Sequence, residues 1–405
     1  MTNQGAQIVV AGHICLDIIP AFRPTGAGIG DILRPGKLVD VGPAILATGG
    51  PVSNTGLALH RLGEPVALMG KVGDDLLGGA VLEILRRQGP ELASGMIVAK
   101  GVGTSYTVVL SPPGTDRIFL HCPGANDTFC AADIDYGRLP AGGVFHFGYP
   151  PLMRRMYEGN GEEVSEIFRR VKARGLTTSL DMARPDPASD AGRADWPAIL
   201  RAALPHVDIF CPSIDEILFM LDRPRFERME RAAHSSAATA GTGGGDPGFD
   251  GDCLSEIASR LLDMGAALVV LKLGDQGLYL RTSANANRLA VAKDSAWVGR
   301  ELLSPCFQVD VVGTTGSGDA TIAGFLAAMT KGLSPEEAAT AATAVGACCC
   351  EAADSTSGVR PWGEVQERLR GGWRRREVRV KLDGWHPDLA SGLWFGARDP
   401  LGPFG

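Results

Sequence analysis

The chain alternates between short apolar runs and longer runs whose apolar residues recur at helical spacing. The short runs are IVVAG, PVALMGKVG, GVFHFGY, LTTSLDMA, VDIFCPS and ALVVLKLG. Runs of this kind, rich in β-branched residues and closed by glycine or proline, predict strands buried on both faces of a parallel sheet. Between them lie VSNTGLALHRLG, LLGGAVLEILRRQG, GEEVSEIFRRVKARG, DWPAILRAALP and SEIASRLLDMG, whose spacing predicts helices with one apolar face. Regular alternation of the two predicts βαβ units. The expected fold is therefore α/β: a three-layer sandwich with a mostly parallel central sheet flanked by helices. Ligands of such sheets bind beyond the carboxyl ends of the strands, so chemistry is sought just after each strand.

Three regions depart from this rhythm. Residues 14–48 and 104–123 hold shorter alternating strands, and SYTVVLSPPGTDRIFLH reads as a hairpin around a PPG turn. They predict a small β-sheet lid over the main sheet. Residues 223–252 run from the charged RPRFERMER into HSSAATAGTGGGDPGFDGD, too poor in apolar groups to order itself. This stretch is expected to be a flexible surface insertion, with 295–307 as a second, better-structured one. The main domain is placed at 1–370 and a C-terminal extension at 371–405. The aromatic residues of that extension are expected to pack on the surface or on another chain.

Composition narrows the function. Of the 405 residues 45% are hydrophobic, enough for a large core. The net charge of −7 argues against a nucleic-acid partner, and WRRREVRVK is too short a basic run to change that. The nine cysteines form no CxxC pair, and Cys348, Cys349 and Cys350 are consecutive. That pattern suits neither a disulfide framework nor zinc, but fits buried thiols in a reducing compartment. The N-terminus lacks the features of a signal peptide, and no run of about 18 apolar residues offers a membrane span. A cytoplasmic enzyme without nucleic-acid or membrane partners is expected.

The sharpest chemical signal is GTTGSGDATIAGFLAAM. A glycine-rich turn feeds a helix whose first N–H groups, helped by the helix dipole, make an anion site. Gly316, Ser317 and Gly318 would point their amides at a phosphoryl group, and Asp319 is placed to take a proton from an attacking hydroxyl. An anion hole beside a carboxylate base is what phosphoryl transfer to an alcohol requires. Taken alone, the segment also fits a capped helix with an N-terminal Asp. There is no GxxxxGK[ST] loop and no well-placed GxGxxG fingerprint.

Four segments in order give this chain a wider resemblance. GTTGSGDATIAG resembles the second signature of the ribokinase-like (PfkB-type) carbohydrate kinases, usually DTTGAGDxFxxG. ATGGPVSNTGLALHRLG followed by ALMGKVGDDLLGG resembles the first signature. CPSIDEI and VLKLGDQGLYL resemble the family's N-x-x-E and K-x-G-x-x-G segments. The resemblance implies an ATP-dependent carbohydrate kinase with Asp319 as base and Gly316, Ser317 and Gly318 as anion hole. It implies Glu216 as organiser of Mg2+, usually through water, and Ser213, Lys272, Gly274 and Gly277 at the nucleotide. Asp17, Gly49, Gly50 and Asn54 match acceptor-binding positions. Asp181 and Arg184, in LDMARPD, match in part a D-x-N-x-R pattern of fructokinase and ketodeoxygluconate kinase branches; Arg184 either binds an acidic substrate group or pairs with Asp181 or Asp186.

Departures from the pattern are specific. Ser213 stands where Asn is common, Cys15 where some sugar kinases have Asn, and Pro51 follows the paired glycines. Gly313 replaces the usual Asp, which puts a monovalent cation in doubt. The implied partner is a small sugar-like substrate, with a homodimer formed through the lid sheets. Two alternatives remain open at the level of sequence: a nucleoside kinase with Tyr106, Phe119 and Phe147 around the base, and a non-catalytic ligand-binding protein that keeps the fold.

Overall fold

The computed structural model describes residues 7–22, 29–32, 34–111, 118–239, 247–292 and 295–400. Its frame is a ten-stranded sheet. Six strands lie parallel in the order Val66–Met69, Ile8–Gly12, Val144–Gly148, Thr177–Leu180, Ile209–Phe210 and Leu268–Lys272. Four antiparallel strands follow: Leu278–Thr282, Glu301–Ser304, Leu393–Phe395 and His386–Asp388.

Because successive side chains of a strand point to opposite faces, each apolar run feeds two cores. Ile8 and Val10 join one cluster with helices Pro51–Arg61, Ser317–Thr330 and Pro335–Cys349. Val9 and Ala11 join the other with helices Glu162–Ala173, Trp196–Ala203, Ile214–Leu221 and Gly251–Asp263. The cysteine run falls at the end of the Pro335–Cys349 helix, where Cys348 and Cys349 are buried free thiols. The expected three-layer sandwich is the fold found.

A second sheet of four strands has the order Ala44–Gly49, Cys15–Pro20, Tyr106–Leu110 and Ile118–Cys122. It corresponds to the expected lid; the PPG turn lies outside the described residues. Among the described residues no helix is long and apolar enough to cross a membrane.

Three expectations are corrected. The segment Arg223–Thr239 is a helix rather than a flexible stretch. Its anchor is Phe226, buried edge-on against Phe219 with ring centroids 5.4 Å apart. The Gly251–Asp263 helix also begins inside the range, capped by the Asp250 carboxylate on the Cys253 amide at 2.8 Å. Only part of the glycine-rich piece, 240–246, lies outside the described residues. The stretch 295–307 contributes Glu301–Ser304, a fully buried strand of the main sheet. The C-terminal segment extends that sheet instead of lying on the surface. Leu393 is fully buried, Trp385 packs on Tyr279 at 5.9 Å, and Asp399 forms a buried ion pair with Arg300 at 3.1 Å.

Candidate active site

The site forms where the parallel strands end. Gly12 and Gly148 lie opposite each other in register, so His13 and Tyr149 leave the sheet side by side. A Cβ on Gly12 would come within 2.5 Å of the Gly148 carbonyl, which explains glycine at this crossing. Facing these exits is the start of the Ser317–Thr330 helix, entered through Gly316 in the left-handed region at φ 73°. A Cβ there would lie 2.5 Å from Ser355 Cβ. The first-turn amides of this helix have no partner within it; the Ser317 amide donates to the Thr314 carbonyl of the preceding turn at 3.3 Å, and Ser317 and Gly318 remain partly accessible.

Asp319 projects from this first turn and is buried, 3% exposed. Its Oδ2 accepts from Asn54 Nδ2 at 3.0 Å and its Oδ1 from Thr55 Oγ1 at 3.2 Å. The Tyr149 hydroxyl donates its single proton between the two oxygens, at 3.2 and 3.0 Å. A carboxylate offers about four acceptor positions, so these three donors leave room for one more hydroxyl. Burial pushes the Asp319 carboxyl above the usual range, while Lys272 and the three donors pull it back toward the charged form.

Lys272, at the end of its strand, reaches under the helix start. Its Nζ donates to Asp181 Oδ1 at 2.6 Å, and its side chain passes 3.4 Å from where a Gly318 Cβ would lie. Burial alone would depress the ammonium; the Asp181, Glu216 and Asp319 carboxylates more than reverse this, so it stays charged. Ser213 pairs with Lys272 in a β-bridge and caps the Ile214–Leu221 helix. Its amide donates to Glu216 Oε2 at 2.7 Å, which closes a capping box. Burial raises the Glu216 carboxyl, opposed by Lys272 and reinforced by Asp181 and Asp215. Gly277, at φ 107°, cannot be another residue without strain, because a Cβ would meet the Ser304 carbonyl at 2.0 Å. Gly274 takes φ 59° in the same turn.

The acceptor-side candidates gather at the lid hinge. Asp17 accepts from Cys15 Sγ at 3.3 Å and from Thr107, its register neighbour. Burial lifts its carboxyl to about 6. Gly49 lies directly beneath it: a Cβ there would be 2.4 Å from Asp17 Oδ2. Gly50, at φ 86°, packs on His13. Asn54, bound to Asp319 through its amide nitrogen, keeps a buried Oδ1 with no partner.

Two candidates take other places. Asp181 is fully buried, with one oxygen on Lys272 and the other without a partner. That makes it an anchor for the lysine rather than a group exposed to a ligand. Arg184 pairs with Glu230 of the Arg223–Thr239 helix at 2.8 Å, and its guanidinium lies over Phe226. Neither Asp181 nor Asp186 is its partner. Phe147 is fully buried in the core. At Gly313 a Cβ would lie 2.8 Å from the Ala352 carbonyl, so this turn is packed too tightly for the larger residue.

Tyr149, Thr55 and His13 belong to the constellation and were not among the sequence candidates. Tyr149 and His13 each follow the glycine that ends a buried strand, the position where ligands of such sheets gather. Tyr149 also holds a left-handed backbone at φ 63°, uncommon for a bulky residue and invisible in sequence.

The pfkB family carbohydrate kinase model matches residues 8–362, and the chain belongs to that family. It is a carbohydrate kinase. Fructokinase-2 of Zea mays is 26% identical over 332 residues, covering 80% of each chain. An uncharacterized sugar kinase of Archaeoglobus fulgidus is 26% identical over 303 residues, covering 75% of this chain and 98% of its own. The fold is shared with the ribokinase of Arabidopsis thaliana complexed with ribose and ATP, at TM-score 0.65 and 17% identity over 90% of this chain and 99% of that one. It is shared with the ribokinase of Thermotoga maritima as well, at TM-score 0.63, 19% identity and the same coverage.

Proposed function

We propose that the protein transfers the γ-phosphoryl group of ATP to a hydroxyl of a neutral sugar, with Asp319 as general base. The observation that carries this reading is the placement of Asp319: buried, held by three donors with one acceptor position left, in the first turn of a glycine-entered helix. The acceptor hydroxyl gives its proton to Asp319 as it attacks. The amides of Gly316, Ser317 and Gly318 meet the charge on the transferring group, and Lys272, anchored by Asp181, adds a fixed positive charge beside them. Ser213, Gly274 and Gly277 shape the nucleotide side.

Magnesium fits the donor set. Glu216 commits one oxygen to its capping box and is only partly buried, leaving a carboxylate oxygen for a hydrated hard cation. Bound there, the ion would neutralise phosphate charge. A putative ribokinase II of E. coli, in complex with ATP and Mg2+, shares the fold at TM-score 0.61 and 20% identity. The tight backbone at Gly313 supports a site without the usual cation-binding carboxylate.

A neutral sugar is favoured over a sugar acid because Arg184 is engaged by Glu230, while Asp17 would repel a second carboxylate. Asp17, Gly49, Gly50 and Asn54 are assigned to the acceptor. Exposed Ile45, Leu46, Phe119 and Leu120 on the lid support pairing of two lids in a homodimer. One observation favours a second reading, a nucleoside acceptor. A groove of about 680 Å³ beside the lid is lined by Tyr106, Phe119, His121 and Tyr157, aromatic surfaces suited to a base. An ADP-release screen over pentoses, hexoses, sugar acids, polyols and nucleosides decides between them. A neutral sugar as best acceptor is expected; a sugar acid or nucleoside as best acceptor overturns the substrate assignment, and no ADP release with any overturns the reading.

A further inference from the structure

His13 has no part in the chemistry above, yet among the described residues no other side chain or backbone group bonds its ring. The imidazole is 2% exposed and neither ring nitrogen has a hydrogen-bond partner. Buried polar groups are nearly always bonded, and leaving one unpaired destabilises the fold. Burial, with a smaller push from His121, holds the ring neutral by lowering its pKa to about 3.

Its position is equally specific. A Cβ on Gly50 would lie 2.5 Å from His13 Nδ1, so the paired-glycine segment is shaped around this ring. The ring centroids of His121 and Tyr149 are 5.2 and 6.2 Å away. His121 bonds Thr107, the neighbour of Asp17, at 3.0 Å, and Tyr149 bonds Asp319. His13 is therefore flanked by one ring that bonds the register neighbour of Asp17 and another that bonds Asp319. A neutral imidazole offers one donor and one acceptor, the same pair that an alcohol offers in return.

We propose that His13 is an acceptor-binding residue whose imidazole takes a hydroxyl of an uncharged polyol held between Asp17 and Asp319. This rests on the reading of Asp319 as the base. A site built to bond a hydroxyl discriminates strongly against ligands that cannot supply it, so His13 sets specificity as well as affinity.

The test compares wild type with His13→Phe, which keeps a ring of similar size, and with His13→Gln, which keeps hydrogen bonding. ADP release is measured with D-fructose, D-ribose and inosine, alongside melting temperatures. For the best of the three acceptors, KM should rise about 30-fold in His13→Phe and recover in part in His13→Gln. KM for ATP should stay within about twofold, and the melting temperature should not fall, because the lost nitrogens had no partners. An unchanged acceptor KM overturns the proposal, as does a joint rise in acceptor and ATP KM with a lower melting temperature. Asp319→Asn, assayed in parallel, separates the two claims. Full turnover in that variant refutes the base, whereas an inactive Asp319→Asn beside an unaffected His13→Phe refutes only the role of His13.

Discussion

The two ends of the cleft differ in how far they are finished before a ligand arrives. At the phosphate end Asp319 holds three donors, Lys272 is bonded to Asp181, which keeps its second oxygen bare, and Glu216 is bonded to the Ser213 amide. At the acceptor end His13 has no partner, Asn54 keeps a bare Oδ1, and Asp17 holds a thiol and a hydroxyl. On the proposed function the first arrangement would serve as electrostatic preorganisation, with dipoles and charges set where charge develops. The second keeps polar groups for the ligand to satisfy. On the function proposed above, the chemistry would fall to the core and the choice of alcohol to groups at the hinge of the lid.

Removing the base should have the largest effect. Asp319→Asn is expected to lower kcat about 10³-fold while ATP still raises the melting temperature as in wild type. Turnover within tenfold of wild type would break the division between the two ends. Asp17→Asn should come next, lowering kcat/KM for the acceptor about 10²-fold with little change in KM for ATP. The same substitution should stabilise the protein. The Asp17 carboxyl is raised from the usual 3.8 to about 6, so the folded state binds its proton more tightly than the unfolded chain. Stability is then lost as pH rises through that window. At pH 7.5 Asp17→Asn should melt ~2 °C higher than wild type, and the gap should close below about pH 4. A lower melting temperature at pH 7.5 would mean that Asp17 is structural.

The same division governs what the sequence discloses. The parallel sheet was legible because its strands are apolar on both faces and glycine-bounded, as in IVVAG. GTTGSGD disclosed the glycine-entered helix start that carries Asp319, because such a turn needs glycine at a left-handed position. Residues that act through long-range contacts were not legible. Tyr149 reaches Asp319 across 170 positions, and nothing local marks its left-handed backbone. Arg184 looked available because its partner Glu230 lies on a helix that composition argued against. In the C-terminal segment, LWF is only three residues long, and its place beside Glu301–Ser304 depends on the rest of the sheet.

Tyr149 offers a way to sharpen the contrast, because it touches the base from the acceptor side. Tyr149→Phe removes a donor to a buried carboxylate, so the Asp319 carboxyl should rise further. The base must be ionised to act, and activity is lost as pH falls through its pKa. The acid limb of the kcat profile should therefore move to higher pH, and kcat at pH 7 should fall roughly tenfold with little change in acceptor KM. An unmoved acid limb would leave Tyr149 as packing alone.

The smallest effect expected, at Glu216, tests whether the phosphate end is as modular as it looks. Glu216 does two jobs: it completes the capping box on the Ser213 amide and presents a negative charge beside Lys272. Glutamine serves a capping box as well as glutamate does, so Glu216→Gln keeps the helix start and removes only the charge. Melting temperature should stay within about 1 °C of wild type. The Mg2+ concentration for half-maximal rate should rise roughly threefold, while the rate at saturating Mg2+ stays within about twofold. If the metal requirement is unchanged, Glu216 only caps the helix. If instead the rate collapses at every Mg2+ concentration, the charge is needed to hold Lys272 in place, and the phosphate end behaves as one network rather than as separable parts.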